Sequence, residues 1–107
     1  MPDSQMNIFR VLNADEWVEF RKKKVFKGNS FDHKSGFIHL STQKQLKETI
    51  NLHFKNNKKI VILKFNANDL GDSLKWELSR NRELFPHLYD SLNFKHIKNV
   101  ESFGCSV

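Results

Sequence analysis

Apolar residues along the chain follow two periods, one typical of strands and the other typical of helices. Residues 8–12 predict a first strand, with Ile8, Arg10 and Leu12 on one face and the residues between them on the other. Residues 60–65 are apolar almost without interruption, which is typical of a strand buried on both faces. We therefore expect this second strand to lie in the centre of a sheet.

Two helices are predicted from capping signals that precede a 3.6-residue apolar period. Asn13 with Glu16 three residues later forms one capping box, and Thr42 with Gln45 forms another. The first helix is predicted to end in the basic run 21–24, and the second at about Lys55. The apolar side is Trp17, Val18 and Phe20 in the first helix, and Leu46, Thr49, Ile50, His53 and Phe54 in the second.

The segment between these helices contains turn-forming clusters and one short strand. Residues 28–30 and 32–36 are rich in Gly, Asn, Asp and Ser, which predicts turns. Residues 37–41 are predicted as a strand, and a period of two places His39 and Ser41 on the same face.

The C-terminal half is predicted to contribute further strands. Residues 74–78 alternate, so that Leu74, Trp76 and Leu78 are expected inward and Lys75 and Glu77 outward. In the segment 85–89, Pro86 forces the preceding residue to be extended and excludes a helix. Residues 94–100 form a weaker predicted strand.

These elements favour an α+β fold with a mixed, largely antiparallel sheet and two main helices. Strands outnumber helices and do not alternate strictly with them, which argues against a doubly wound fold. With 107 residues and 38% apolar content, the chain has the length and core material of one domain, predicted to span residues 1–107.

Composition also predicts a cytoplasmic protein without a membrane span. The longest apolar run, residues 60–63, is far shorter than the roughly 20 residues that cross a bilayer. Residues 1–5 lack the features of a secretory signal, and the lone Cys105 cannot form an internal disulfide.

The charge balance favours anionic partners without specifying one. Eighteen Lys and Arg against twelve Asp and Glu give a formal net charge of +6, which attracts phosphates, nucleic acid or anionic lipid. Nucleic-acid binders concentrate this charge on one face, whereas the lysines are scattered here apart from the run 21–24. A short basic run is usually a solvated helix end, so composition does not favour nucleic acid as the partner.

Several kinds of chemistry are disfavoured by spacing. The four Gly form neither a P-loop nor a dinucleotide-binding fingerprint. The five His lack the spacings of common metal sites, and one Cys cannot build a thiolate zinc site, so no metal site is predicted. A Ser-His hydrolase is also disfavoured, because no nucleophile elbow surrounds Ser41.

The remaining candidate residues each have a functional and a structural interpretation. The corner formed by Ser41 and Thr42 opens a helix and would suit an anion, although Thr42 is equally explained by capping. Glu77 lies between large apolar residues, where a carboxylate can act as an acid or base, but alternation places it in solvent. His87 would bond a ligand or serve the structure alone.

Particular motifs in this order resemble one known family. They are Gly36-Phe37-Ile38-His39-Leu40-Ser41-Thr42, Trp76-Glu77 and Phe85-Pro86-His87-Leu88-Tyr89. They are similar to those of the domain-of-unknown-function 952 family, and the similarity covers about residues 7–100. The resemblance implies an ADP-ribosyltransferase-like fold, a split mixed sheet that binds NAD in a cleft in its active relatives.

The resemblance also implies roles for individual residues. Arg10, His39, Ser41 and Thr42 would face the adenosine, ribose or phosphates of a nucleotide, while His87 and Tyr89 would stack on the base or orient it. Glu77 would be the catalytic carboxylate, assisted by His39. In ADP-ribosyl transfer a fixed carboxylate stabilises the positive charge that develops on the ribose.

Three functions follow as hypotheses. The first is an ADP-ribosyltransferase-like domain that binds NAD or another ADP-ribose-containing nucleotide and acts as a transferase or glycohydrolase. The second is a non-catalytic module that binds an anionic metabolite or RNA. The third is NAD-dependent removal of phosphate from RNA ends.

Overall fold

The computed structural model describes residues 6–104. The strands are β1 Asn7–Asn13, β2 Val25–Phe26, β3 Ile38–His39, β4 Ser41–Thr42, β5 Lys59–Asn66, β6 Leu74–Leu78, β7 Leu84–Leu88, β8 Leu92–Asn93 and β9 Ile97–Gly104. The α-helices are α1 Ala14–Lys23, α2 Ser30–Ser35 and α3 Gln43–His53. Short 3₁₀ segments cover Ala67–Ser73, Arg80–Arg82 and Phe94–His96.

The sequence predictions about the N-terminal residues 1–5 and about Cys105 concern residues outside the described part of the chain. Within residues 6–104, none of the helices has the length and apolar character needed to cross a membrane.

The strands form antiparallel sheets of four, three and two strands. The four-stranded sheet has the order β4-β1-β5-β9, the three-stranded sheet β3-β7-β6, and the smallest sheet pairs β2 with β8. The predicted α+β class with largely antiparallel pairing is confirmed. All pairs among the described strands are antiparallel, so the sheets are not mixed.

The four-stranded sheet carries an apolar cluster on each face. The predicted central position of residues 60–65 is confirmed, since β5 pairs with β1 on one side and β9 on the other. The larger cluster includes Ile8, Leu12, Phe20, Val61, Leu63 and Phe65. The smaller cluster contains Phe9, Val11, Leu46, Ile60 and Ile62. The alternation predicted for β1 therefore matches the two faces of the sheet.

Both predicted main helices begin at their predicted caps. Asn13 and Thr42 each accept a hydrogen bond from the backbone N–H three residues later, and both capping boxes are complete. Phe20 is buried, whereas Val18 is exposed, so the predicted apolar side of α1 is narrower than expected. The end of α1 in the basic run is confirmed by Lys24, which caps it in the left-handed conformation.

The predicted strand 37–41 is divided between two sheets. β3 pairs with β7 and β4 pairs with β1, so the chain changes sheets at Leu40. The Leu40 N–H donates to the Pro86 carbonyl oxygen at 3.1 Å, which fixes this crossing. The crossing places the ends of the three-stranded and four-stranded sheets side by side.

A short helix replaces one of the predicted turns. Residues 30–35 form α2, and Asn29 and Asp32 form a complete capping box at its start. The turn prediction was wrong because the same polar residues that favour turns are also good helix caps. Gly36 then ends α2 in the left-handed conformation.

Two predictions in the C-terminal half are corrected. Trp76 and Leu78 are exposed rather than inward, because β6 is an edge strand whose main contacts are β7 and the preceding 3₁₀ turn. The last strand starts at Ile97, later than predicted, because Asn93 caps a 3₁₀ turn before it. It then continues to Gly104 alongside β5.

Candidate functional site

A cavity of about 500 Å³ opens where the chain crosses between the sheets. Its walls come from β1, the crossing segment, α3, β7 and the turn after β6. The lining residues that carry polar or aromatic groups include Arg10, Phe31, Phe37, His39, Ser41, Thr49, His53, Arg80, Phe85 and His87. The volume falls within the roughly 300–1,000 Å³ of typical small-molecule sites.

A buried carboxylate organises one side of the cavity. Asp32 is 1% exposed and accepts two hydrogen bonds from Arg10, each at 2.9 Å. It also accepts from the backbone N–H groups of Asn29 and His39. Gly28 leaves room for it, since a Cβ there would lie 2.9 Å from the Asp32 Cβ. Asp32 therefore joins α2, β1 and β3.

This environment holds Asp32 ionised. Burial alone would raise the pKa of Asp32, but hydrogen bonds from His39 and Arg10 and the Arg10 charge outweigh it. The pKa of Asp32 consequently lies well below its usual range. Its negative charge is available to anchor His39 at neutral pH.

His39 is held by Asp32 on one side and by aromatic rings on its faces. Its Nδ1 lies 2.7 Å from Asp32 Oδ1, so the ring donates to the carboxylate. Phe31 stacks on the imidazole with ring centroids 4.3 Å apart, and Phe37 lies at 4.7 Å. Among residues 6–104, His39 Nε2 has no hydrogen-bond partner, and His39 lines the cavity.

A second histidine is held in the same manner from the other strand. His87 is 5% exposed, stacks on Phe37 with centroids 3.9 Å apart, and donates from Nδ1 to Glu77 at 2.8 Å. The Tyr89 hydroxyl donates to the same carboxylate oxygen at 2.8 Å. His39 and His87 are cross-strand partners, and their ring centroids are 5.9 Å apart.

The two partners in this second pair titrate below their ordinary values. Hydrogen bonds from His87 and then Tyr89 lower the pKa of Glu77. Burial lowers the pKa of His87, and the hydrogen bond to Glu77 acts in the opposite direction without reversing the change. At neutral pH His87 is therefore a neutral imidazole whose protonated Nδ1 faces Glu77.

Another part of the cavity wall is basic and carries hydroxyl groups. Arg80 donates to the Thr49 hydroxyl at 3.1 Å, and Thr49 is hydrogen bonded to Ser41 at 2.8 Å. The Arg80 guanidinium also lies over the Phe85 ring. Burial, followed by the charge of Arg80, lowers the pKa of His53. This wall therefore suits an anionic group.

The structure brings some of the predicted site residues together and leaves others outside. Arg10, His39, Ser41 and His87 line the cavity. Arg10 is almost fully buried and directs its guanidinium to Asp32 and the His39 carbonyl, so its contacts are structural.

The remaining predicted residues do not line the cavity. Thr42 accepts the Gln45 N–H and caps α3. Glu77 reaches the cavity only through His87, and Tyr89 lies beside Glu77. Glu77 thus supports a cavity residue rather than facing the cavity itself.

Sequence reasoning missed Asp32 and Arg80 as site residues. The Asn29–Asp32 spacing is a capping-box signal that predicts α2, but nothing in the sequence pairs Asp32 with Arg10, 22 residues away. Arg80 lies in the turn after β6, and its contact with Thr49 spans 31 residues. Within residues 6–104, no group of three or more His, Cys, Asp or Glu is arranged to hold a metal ion.

We expect Glu77→Gln to lower the pKa of His87 further below its ordinary value of 6.5. The substitution removes a negative charge and a charged hydrogen-bond acceptor, both of which favour the imidazolium. NMR of the imidazole nitrogens across a pH series measures this directly. Glu48→Gln, at an exposed carboxylate beside Arg80, is the matched control. A His87 pKa that stays constant or rises in Glu77→Gln would contradict the coupling.

The comparisons with known proteins agree with this architecture. The crystal structure of protein CC0527 from Caulobacter crescentus is 35% identical, with a TM-score of 0.87, covering 90% of this chain and 84% of that one. The solution NMR structure of CC0527 is 36% identical, with a TM-score of 0.76 and coverages of 89% and 82%. No curated protein matches. Residues 11–100 match the family described as protein of unknown function DUF952. The chain belongs to the DUF952 family.

Proposed function

We propose that the cavity binds an ADP-ribose-containing nucleotide such as NAD, on an ADP-ribosyltransferase-like fold. One observation carries this proposal: a single cavity of nucleotide size combines aromatic faces, an arginine and paired hydroxyl groups. These are the groups that recognise a base, a phosphate and a ribose, respectively.

The aromatic groups of the cavity suit a planar base. Phe31 is exposed although it stacks on His39, so one surface of the ring remains accessible. Phe37 and Phe85 contribute further apolar surface to the lining. Stacking of a base on an aromatic side chain contributes about 1–3 kcal/mol to the binding free energy, and it occurs with any base.

Arg80 supplies charge for phosphate. Its Nη2 is bonded to Thr49, whereas its Nε is buried without a hydrogen-bond partner, at 3.5 Å from a Glu48 oxygen. A guanidinium forms paired hydrogen bonds to phosphate oxygens and remains charged at all relevant pH values. The hydroxyls of Ser41 and Thr49, beside it, are of the type that bonds ribose oxygens.

The position of Glu77 limits the chemistry that the proposal assigns to it. A carboxylate that stabilises a ribose cation must touch the ribose, and Glu77 is instead bonded to His87 and Tyr89. The proposed function is therefore nucleotide binding, and Glu77 affects it by orienting His87.

Titration of the protein with NAD, ADP-ribose, AMP and a short RNA tests the proposal by thermal shift and NMR. We expect saturable binding of NAD or ADP-ribose, with signals of His39 and His87 shifting. Arg80→Gln is expected to weaken ADP-ribose binding about 10-fold or more, because it removes a charged hydrogen bond worth about 1.5–3 kcal/mol.

Arg82→Gln is the matched control, because Arg82 is exposed in the same turn and does not line the cavity. Its affinity for ADP-ribose should equal that of the unmodified protein. Absence of any response to NAD and ADP-ribose would remove the proposal. RNA binding that weakens steeply with salt would instead support the alternative of a basic RNA-binding surface.

A further inference from the structure

We propose that His39 and His87 act as a general acid–base pair that hydrolyses a cyclic phosphodiester of a nucleotide bound in this cavity. The proposal rests on the nucleotide binding proposed above and adds a reaction class to it. It is based on two imidazoles that line the same cavity, each of them hydrogen bonded to a carboxylate.

Each histidine has its Nδ1 proton bound by a carboxylate. Asp32 binds Nδ1 of His39, and Glu77 binds Nδ1 of His87. In neutral imidazole the proton on Nδ1 leaves Nε2 as an acceptor, and a carboxylate at Nδ1 also orients the ring. Both histidines therefore present Nε2 as the reactive atom.

Neither Nε2 atom has a hydrogen-bond partner within the described residues. His87 is almost fully buried and lines the cavity, and its Nε2 forms no hydrogen bond within the described residues. His39 is 27% exposed at its side chain, and its Nε2 likewise has no partner. One ring nitrogen on each histidine is therefore free to bond a ligand in the cavity.

The register between β3 and β7 sets the spacing of the pair. His39 and His87 are direct cross-strand partners, so their side chains leave the sheet on the same face. Their rings meet nearly edge to face, with centroids 5.9 Å apart. Phe37 lies against both rings and limits their rotation.

Hydrolysis of a cyclic phosphate requires two proton transfers at one phosphorus atom. One imidazole accepts a proton from water as the water oxygen bonds to phosphorus. The bond from phosphorus to one ester oxygen breaks, and the other imidazole, in its protonated form, gives that oxygen a proton. The products are a phosphate monoester and a free hydroxyl on the same molecule, so one water is consumed.

The local environment assigns the base role to His87. Its burial favours the neutral form, and the neutral form is the proton acceptor. His39, whose Nδ1 is bonded to Asp32, takes the remaining role of proton donor. Arg80, which also lines the cavity, offers a positive charge to the non-reacting phosphate oxygens.

The cavity favours a cyclic phosphate over a polynucleotide. In a cyclic diester the leaving oxygen stays on the product, so one nucleotide-sized ligand contains every reacting group. A cavity of about 500 Å³ can accommodate such a ligand, whereas it cannot enclose several nucleotides.

The test is hydrolysis of adenosine 2′,3′-cyclic phosphate, followed by ³¹P NMR. We expect the unmodified protein to produce the phosphate monoester. His39→Gln and His87→Gln are each expected to reduce the rate about 100-fold or more, the lower end of the effect of a general acid or base. His96→Gln, at a histidine outside the cavity, should retain the full rate.

His39 is the more exposed of the pair, so His39→Gln gives a result even where His87→Gln fails to fold, which circular dichroism detects. No conversion above the buffer rate would overturn the inference, as would a full rate in folded His39→Gln. Binding of ADP-ribose without hydrolysis would overturn this inference and leave the proposed function standing. Hydrolysis without binding of NAD or ADP-ribose would support the acid–base pair and remove the proposed ligand.

Discussion

Replacing Asp32 with alanine is expected to lower the free energy of unfolding by about 3–5 kcal/mol, because it leaves the buried Arg10 guanidinium without its counterion. Arg10 is 6% exposed, so water compensates only weakly for the lost carboxylate. The backbone N–H groups of Asn29 and His39 also lose their acceptor. Urea denaturation measures the change.

Asp69→Ala is the matched control for this substitution. Asp69 pairs with Lys98 at 3.2 Å, and both side chains are well exposed, so its removal is expected to cost about 1 kcal/mol or less. An Asp32→Ala variant that loses no more stability than Asp69→Ala would show that the buried pair does not hold α2 against β1.

The contribution of Asp32 also depends on pH with a definite sign. Its pKa in the folded protein lies below its ordinary value of 3.8, so the folded state favours the ionised form. The stabilisation is complete above that ordinary value and is lost as the pH falls toward the folded-state pKa. The stability difference between the unmodified protein and Asp32→Ala should therefore shrink only below about pH 4.

The elements predicted well are those determined by neighbouring residues. Asn13 and Thr42 cap their helices through partners three positions away, so the signal lies within one short segment. The extended conformation before Pro86 was predicted for the same local reason, and this segment lies in β7. Such local rules act before any tertiary contact forms and are readable from the sequence.

The elements predicted poorly depend on which surface covers them. Leu78 alternates like a core residue but lies at an edge strand, where no second layer buries it. The segment 37–41 reads as one strand, yet its halves pair with β7 and β1, which are distant in sequence. The pattern of apolar residues shows which face of a strand can be buried, but it does not show which other element covers or pairs with that strand.

Only part of the candidate site was predicted, because the rest depends on contacts between segments that are distant in the sequence. His39, Ser41 and His87 belong to distinctive motifs, and all three line the cavity. The sequence predicts a turn at Asp32, because the residues of β1 and β3 that it contacts are not its neighbours in the sequence. The carboxylates that fix the two imidazoles become visible only when the strands are brought together.

Phe65→Ala is expected to lower the free energy of unfolding by about 3–5 kcal/mol, the usual effect of removing a buried phenylalanine. Phe65 is 0% exposed and belongs to the larger apolar cluster of the central strand, the element whose burial on both faces the sequence predicted. Phe103→Ala is the control, because Phe103 on β9 is 52% exposed and its loss should cost less than about 1 kcal/mol.

Ligand affinity provides the second measurement on this pair of variants. Phe65 does not line the cavity, so folded Phe65→Ala should bind ADP-ribose as tightly as the unmodified protein, once the unfolded fraction is taken into account. Equal stability of the Phe65→Ala and Phe103→Ala variants would contradict the central position of β5. A loss of intrinsic affinity in Phe65→Ala would instead show that packing beneath the sheet positions β1 and the cavity wall that it carries.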